Sequence, residues 1–123
     1  MDVIQFTEYC RSKAGVTEGF PFDETTLVFK VGGKMFALCG LDGNPLFVNL
    51  KCDPEKSITL REEYDGIIFP GYHMNKKHWN SVYLEADLEM KLYCQLIDES
   101  YNLIRNSLPK KVQEELDGLD KNG

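Results

Sequence analysis

The densest run of chemically capable side chains is Pro70-Gly71-Tyr72-His73-Met74-Asn75-Lys76-Lys77-His78-Trp79. His73 and His78 offer imidazoles, but a metal site needs at least a third ligand close by, and none adjoins them in the sequence. No serine, cysteine or carboxylate is tied to either histidine by spacing, so neither a general acid–base pair nor an activated nucleophile is formed. The segment is therefore expected to carry no metal, no cofactor and no reaction. Its residue types suit a nucleic acid better: Lys76 and Lys77 can contact phosphates, Asn75 can pair bidentately with adenine, and a narrow turn can enter a groove. The competing reading is a solvated, lysine-rich hairpin tip.

Two further groups invite a phosphate reading. Gly32-Gly33-Lys34 lacks the glycine pattern of a phosphate-cradling loop and joins two strands rather than opening a helix, so it reads as a turn. Arg61, on a helix, can reach the same surface as Lys51, although partnership with Ser57 or Asp65 one turn away is the ordinary fate of such a residue.

Charge sets a limit on these readings. The chain has 14 Lys and Arg against 20 Asp and Glu, a net charge of −6, which argues against coating a polyanion by overall attraction. The distribution is uneven: residues 1–25 carry two bases and five acids, residues 26–83 seven bases and six acids, and residues 84–123 five bases and nine acids. The acid lies toward the two ends, so the middle can present a local cationic face.

The elements that must position these residues follow from caps, turns and periodicity. Asp2 with Gln5 forms a capping signal for a helix near 3–13. After a loop through Gly19-Phe20-Pro21-Phe22, β-like runs occupy Thr26–Val31, Lys34–Cys39 and Leu46–Lys51. Gly32-Gly33 is a two-residue hairpin turn, and Asp42-Gly43-Asn44-Pro45 supplies the next turn. Leu27, Phe29, Val31, Phe36, Leu38, Leu46, Val48 and Leu50 are expected on the core face. Val28, Met35, Ala37, Cys39 and Phe47 share the opposite face with Lys30, Asn49 and Lys51. That second face is apolar enough to be covered in part by a ligand or a second copy of the chain. Asp53-Pro54 starts a helix running to about Tyr64. Short strands follow at Ile67–Phe69 and Trp79–Leu84, then a long amphipathic helix from Leu88 that Pro109 interrupts, then a short C-terminal helix.

With 123 residues, 42% of them hydrophobic, the sequence predicts one domain spanning 1–123 with its own core. No signal-like segment opens it and no apolar run approaches a membrane span, so a cytoplasmic location with no membrane partner is expected. Cys10, Cys39, Cys52 and Cys94 are far apart and lack metal spacing, which predicts reduced thiols without disulfides.

Several blocks together, Lys30–Ala37, Leu50–Pro54, Leu60–Glu62, Pro70–Trp79 and Leu96–Tyr101, followed by Leu108-Pro109-Lys110, resemble the bacterial MmcQ/YjbR-like family over nearly the whole chain. The resemblance implies an α+β fold of two layers. An antiparallel sheet of about five strands packs against helices in the order α-β-β-β-α-β-β-α with a short C-terminal helix, similar in layout to secretion chaperones. It further implies a double-wing DNA-binding arrangement without cofactor or reaction. Carried onto this chain, the nucleic-acid contacts are Lys30, Lys34, Lys51, Arg61, Asn75, Lys76, Lys77 and His78, with His73 in the same turn. The alternative is a protein-binding or chaperone-like module, as a homodimer or with another protein, that uses the partly apolar sheet face.

Overall fold

Capping chemistry starts the first two helices where the sequence predicts. In the computed structural model, which describes the backbone of residues 1–122 and side chains as far as Leu119, Asp2 accepts the Gln5 N–H at 2.8 Å and donates its own to Gln5 Oε1 at 2.9 Å. This capping box opens α1 (Val3–Arg11). Asp53 accepts from Glu55 and Lys56 N–H at 3.0 and 3.3 Å, and Pro54 takes the first position of α2 (Pro54–Glu63), where no donor is lost. The third helix, α3 (Met90–Asn106), buries Tyr93, Leu96, Ile97, Tyr101 and Ile104. Beyond Pro109, α4 (Lys110–Asn122) has 13 residues rather than the few predicted, because Val112 and Leu116 pack into the same core and reward a full helix. No helix among the described residues is long and apolar enough to cross a membrane.

Six antiparallel strands, β1 (Val16–Gly19), β2 (Thr26–Val31), β3 (Lys34–Gly40), β4 (Phe47–Lys51), β5 (Ile68–Pro70) and β6 (Trp79–Tyr83), lie in the order β1-β2-β3-β4-β6-β5. The α+β class is as expected, but the count is six rather than about five. The extra strand is β1, four residues whose central pair is exposed, so no alternation marks it in the sequence. It exists because Val16 pairs with Val31 across the ladder, and because Arg11 on α1 pairs with Glu18.

All four helices share one core with one face of the sheet: Phe6 and Cys10 from α1, Leu60 from α2, Ile97 and Tyr101 from α3 and Leu116 from α4 meet Leu27, Phe29, Val31, Val48 and Leu50. A smaller cluster, Val28, Leu38 and Trp79 with Met35 and Met74, sits on the opposite, open face.

The two faces differ from the simple alternation because β3 carries a bulge. Phe29 faces Ala37 but Lys30 faces Met35, leaving Phe36 as the extra residue. Phe36 and Ala37 therefore both turn toward the helices, and every later residue of β3 changes side. Leu38, expected in the main core, lies on the open face, while Ala37 and Cys39, expected on the open face, are in the core. The irregularity also takes the Phe36 carbonyl and the Lys51 N–H out of the β3–β4 pairing, whose register runs from Ala37↔Leu50 to Cys39↔Val48. Ser100 on α3, fully buried, satisfies both: its hydroxyl donates to the Phe36 carbonyl at 2.5 Å and accepts the Lys51 N–H at 2.8 Å.

All four cysteines are free thiols, with Cys10, Cys39 and Cys52 buried and Cys94 half-buried. Burial pushes the Cys39 thiol up to about 11 and raises that of Cys10 as well.

Ser100→Ala leaves a buried donor and acceptor without partners and is expected to cost about 2–4 kcal/mol in urea unfolding, whereas removing the hydroxyl of exposed Ser12 costs less than about 0.5 kcal/mol. For the thiols, the unfolded chain releases protons near the ordinary value of 9.0 while the native Cys39 holds its proton to about 11, so stability falls as pH rises through that interval. Unfolding midpoints measured between pH 8 and 11 should show this decline, and Cys39→Ala should make it shallower while leaving the part due to Cys10.

Candidate nucleic-acid interface

Of the candidate cations, Lys30 and Lys51 share the open sheet face. Lys30 on β2 pairs with Met35 on β3, and Lys51 on β4 pairs with Trp79 on β6, so both lysines project from the open face at the same end of the sheet. Strands lie about 4.8 Å apart, which puts the Lys30 and Lys51 backbones, one on each side of β3, about 10 Å from each other. Lys34 stands exposed just past the β2–β3 hairpin tip. Gly32 in that tip has φ 58°, and a Cβ there would lie 2.5 Å from the Leu108 side chain. Glycine thus lets the hairpin seat on Leu108, at the corner between α3 and α4. Lys110 and Lys111, exposed at the start of α4 just beyond that residue, were not among the sequence candidates.

None of Lys30, Lys34, Lys51, Lys76 and Lys77 forms an ion pair among the described residues. The pairs present use other bases, all on the helix side: Arg11 with Glu18, Lys13 with Asp98, Lys56 with Glu99 at 3.1 Å, and Arg105 with Asp117. Of the central bases, Lys56 is thus paired with a carboxylate on α3, whereas Lys30 and Lys51 at one end of the open face are not ion-paired.

The β5–β6 connection is less free than its composition suggests. Arg61 donates through Nε to Asn80 Oδ1 at 2.7 Å and through Nη2 to the carbonyls of Lys76 and Trp79, instead of pairing with Ser57 or Asp65 along its own helix. Asn80 in turn donates to Ser57 Oγ at 3.2 Å, closing a polar network that moors α2 to the loop. Asn75 Oδ1 accepts the Lys77 N–H at 3.0 Å, so this side chain shapes its own turn. Lys76 Nζ donates to the Gly71 carbonyl at 2.9 Å. Gly71 is held close, since a Cβ there would lie 2.8 Å from Trp79 Cβ. His78 is half-buried, and its carbonyl accepts the Cys52 N–H at 2.8 Å. His73 adopts φ 58° and rests against Tyr72, ring centroids 4.0 Å apart. No three or more His, Cys, Asp and Glu side chains among the described residues are grouped to hold a metal ion. Lys77 is exposed in the loop that leads into β6.

From this loop, Tyr72 and Met74 fold back over the open face. The Tyr72 carbonyl accepts from Asn49 Nδ2 at 3.3 Å, its ring meets Phe47 edge-on at 5.8 Å, and Met74 packs on the small cluster. Part of the cover expected from a ligand or second copy is thus supplied by the chain itself. What stays open is a cleft of about 580 Å³, floored by Met35, Leu38 and Phe47 and walled by Phe22 and Tyr72. Asp23 and Asp42 line the end of it opposite to the lysines.

The geometry can be set beside known proteins. The YjbR family model matches residues 11–103. YbdF of Escherichia coli O157:H7 is 46% identical over 112 residues, covering 90% of this chain and 83% of that protein. YjbR of Escherichia coli K12 is 31% identical over 114 residues, 93% of this chain and 96% of that one. In three dimensions, the Deinococcus radiodurans protein DR2400, a DUF419 domain, superposes with a TM-score of 0.87 at 39% identity, covering 93% of this chain and 86% of that one. A Pseudomonas syringae protein superposes at 0.73 with 30% identity, covering 85% of this chain and 99% of the other. The blocks that the sequence shares with the family, the α+β layout and the full-length similarity agree, and the chain belongs to the YjbR family.

Proposed function

We propose that this protein is a non-catalytic, cytoplasmic DNA-binding protein whose contact surface is the lysine-bearing end of the open sheet face. The observation that carries the reading is the segregation of charge. Arg11, Lys13, Lys56 and Arg105 are matched to carboxylates on the helix side, whereas Lys30 and Lys51 share one end of the open face and, like the exposed Lys34 and Lys77, form no ion pair among the described residues. Cations in that state release counterions when they meet phosphates, and this is the main source of sequence-independent affinity. The β2–β3 hairpin and the β5–β6 connection flank the group and serve as the two wings. Arg61 contributes by fixing the second wing, with its guanidinium already committed to protein acceptors.

Binding is expected to be weak and steeply salt-dependent. Four to five phosphate contacts correspond to a log–log slope of roughly −4 against salt concentration. Fluorescence anisotropy with a labelled 20-base-pair duplex should show it. Lys30→Glu with Lys51→Glu should abolish binding at low salt, while Lys56→Glu with Lys91→Glu, an equal change in net charge on the helix side, should leave most of it. If no binding occurs at low salt, or if both double variants lose it equally, the proposal fails. Since Asn75 Oδ1 is engaged by the Lys77 N–H, A·T-rich and G·C-rich duplexes should bind alike.

A further inference from the structure

We propose that the acidic end of the open-face cleft is a separate binding site for an organic cation, a small ligand carrying a protonated amine on a flat apolar body. The cleft's volume of about 580 Å³ falls within the range of small-molecule sites, roughly 300–1,000 Å³. Its floor is apolar, and its walls present two exposed aromatic rings from separate connections, Phe22 at 64% exposure and Tyr72 at 54%. Rings so exposed beside an apolar floor offer both contact area and the negative π-face that attracts cations.

Charge complementarity chooses among occupants. Asp23 and Asp42 line the cleft, no lysine or arginine does, and neither carboxylate forms an ion pair among the described residues. Asp23 is fixed in place: its Oδ1 accepts the N–H groups of Thr25 and Thr26 at 2.9 and 2.6 Å, and its Oδ2 accepts the Thr26 hydroxyl at 3.0 Å. The N–H groups of Thr26 and then Thr25 hold its carboxyl below the usual range, and the charged form retains acceptor capacity toward the cleft. An anion, including a nucleic-acid backbone, is repelled here, so this site is distinct from the lysine end and does not depend on it. Asn49 and His73, also in the lining, supply further polar contacts for orienting the ligand.

The test is a ¹H–¹⁵N titration of the full chain with three probes of one shape: phenethylammonium, neutral phenethyl alcohol and anionic 3-phenylpropanoate. Intrinsic fluorescence gives a parallel readout, because the one tryptophan, Trp79, packs with Met35 of the cleft floor. Phenethylammonium is expected to shift amides around Gly40, Gly43 and Asn49 and to bind about tenfold tighter than the anion. In Asp23→Asn with Asp42→Asn, that preference should vanish while the alcohol binds as before. Asp42→Asn alone, which leaves the Thr25–Thr26 turn untouched, should reduce the preference part of the way. Equal affinity for the three probes, no shifts in the cleft, or a preference that survives the double substitution would overturn the proposal. So would cleft shifts that depend on protein concentration without probe, together with a dimer mass by light scattering, since the face would then belong to a second copy.

Discussion

One hydroxyl, that of Ser100, holds the arrangement on which the rest of the molecule depends. A β-bulge at Phe36 is tolerable only if the backbone groups it takes out of register find other partners, and a buried carbonyl or N–H without one costs as much as the bulge can return. Ser100 reaches down from α3 into that gap and serves the Phe36 carbonyl and the Lys51 N–H together. The same helix sends Tyr101 onto the Phe36 ring, edge-on at 5.4 Å, so the extra residue is packed as well as hydrogen-bonded. Everything beyond the bulge inherits its parity. Leu38 reaches the floor of the cleft, Ala37 and Cys39 go beneath α3, and the face that carries Lys30 and Lys51 keeps an apolar centre.

That face is electrically divided along the strands. From Lys51 at one end of β4 to Phe47 at the other is four residue steps, about 13 Å. The screening length at physiological salt is about 8 Å, so charges gathered at the two ends act on their surroundings nearly independently. A chain with a net charge of −6 can in this way keep a cationic end and an anionic cleft on one surface. The ion pairs on the helix side matter little for stability, since exposed pairs contribute at most about 1 kcal/mol, but they neutralise those bases locally.

How much of this was legible in the sequence depended on whether the determinant was local. Asp2 with Gln5, Asp53 with Pro54, and Gly32-Gly33 each act within a few residues, and each produced the predicted cap or turn. The amphipathic stripe of α3 was equally plain. The strand Val16–Gly19 was not, because its pairing with β2 and the Arg11–Glu18 contact are tertiary and its own residues alternate weakly. Nor was the bulge, for alternation assumes an unbroken period of two, and the group that makes the break affordable lies 64 residues away on α3. At the candidate site, the sequence put Lys30 and Lys51 on one face but did not show that the hairpin beside them seats on Leu108 through Gly32.

The segment from Pro70 to Trp79 illustrates why a dense motif can serve the fold itself. Its Gly71 permits close approach to Trp79, its Asn75 and Lys76 side chains are spent on the loop's own backbone, and Arg61 clamps it from α2. Met74 and Tyr72 are laid across the sheet to form one wall of the cleft. The distinctive residues therefore go mostly into building the loop, whereas Lys30 and Lys51 occupy ordinary strand positions whose alternation places them on the open face. Long-range attraction of phosphate asks only for cations on a common face, and the ladder supplies that common face through register alone.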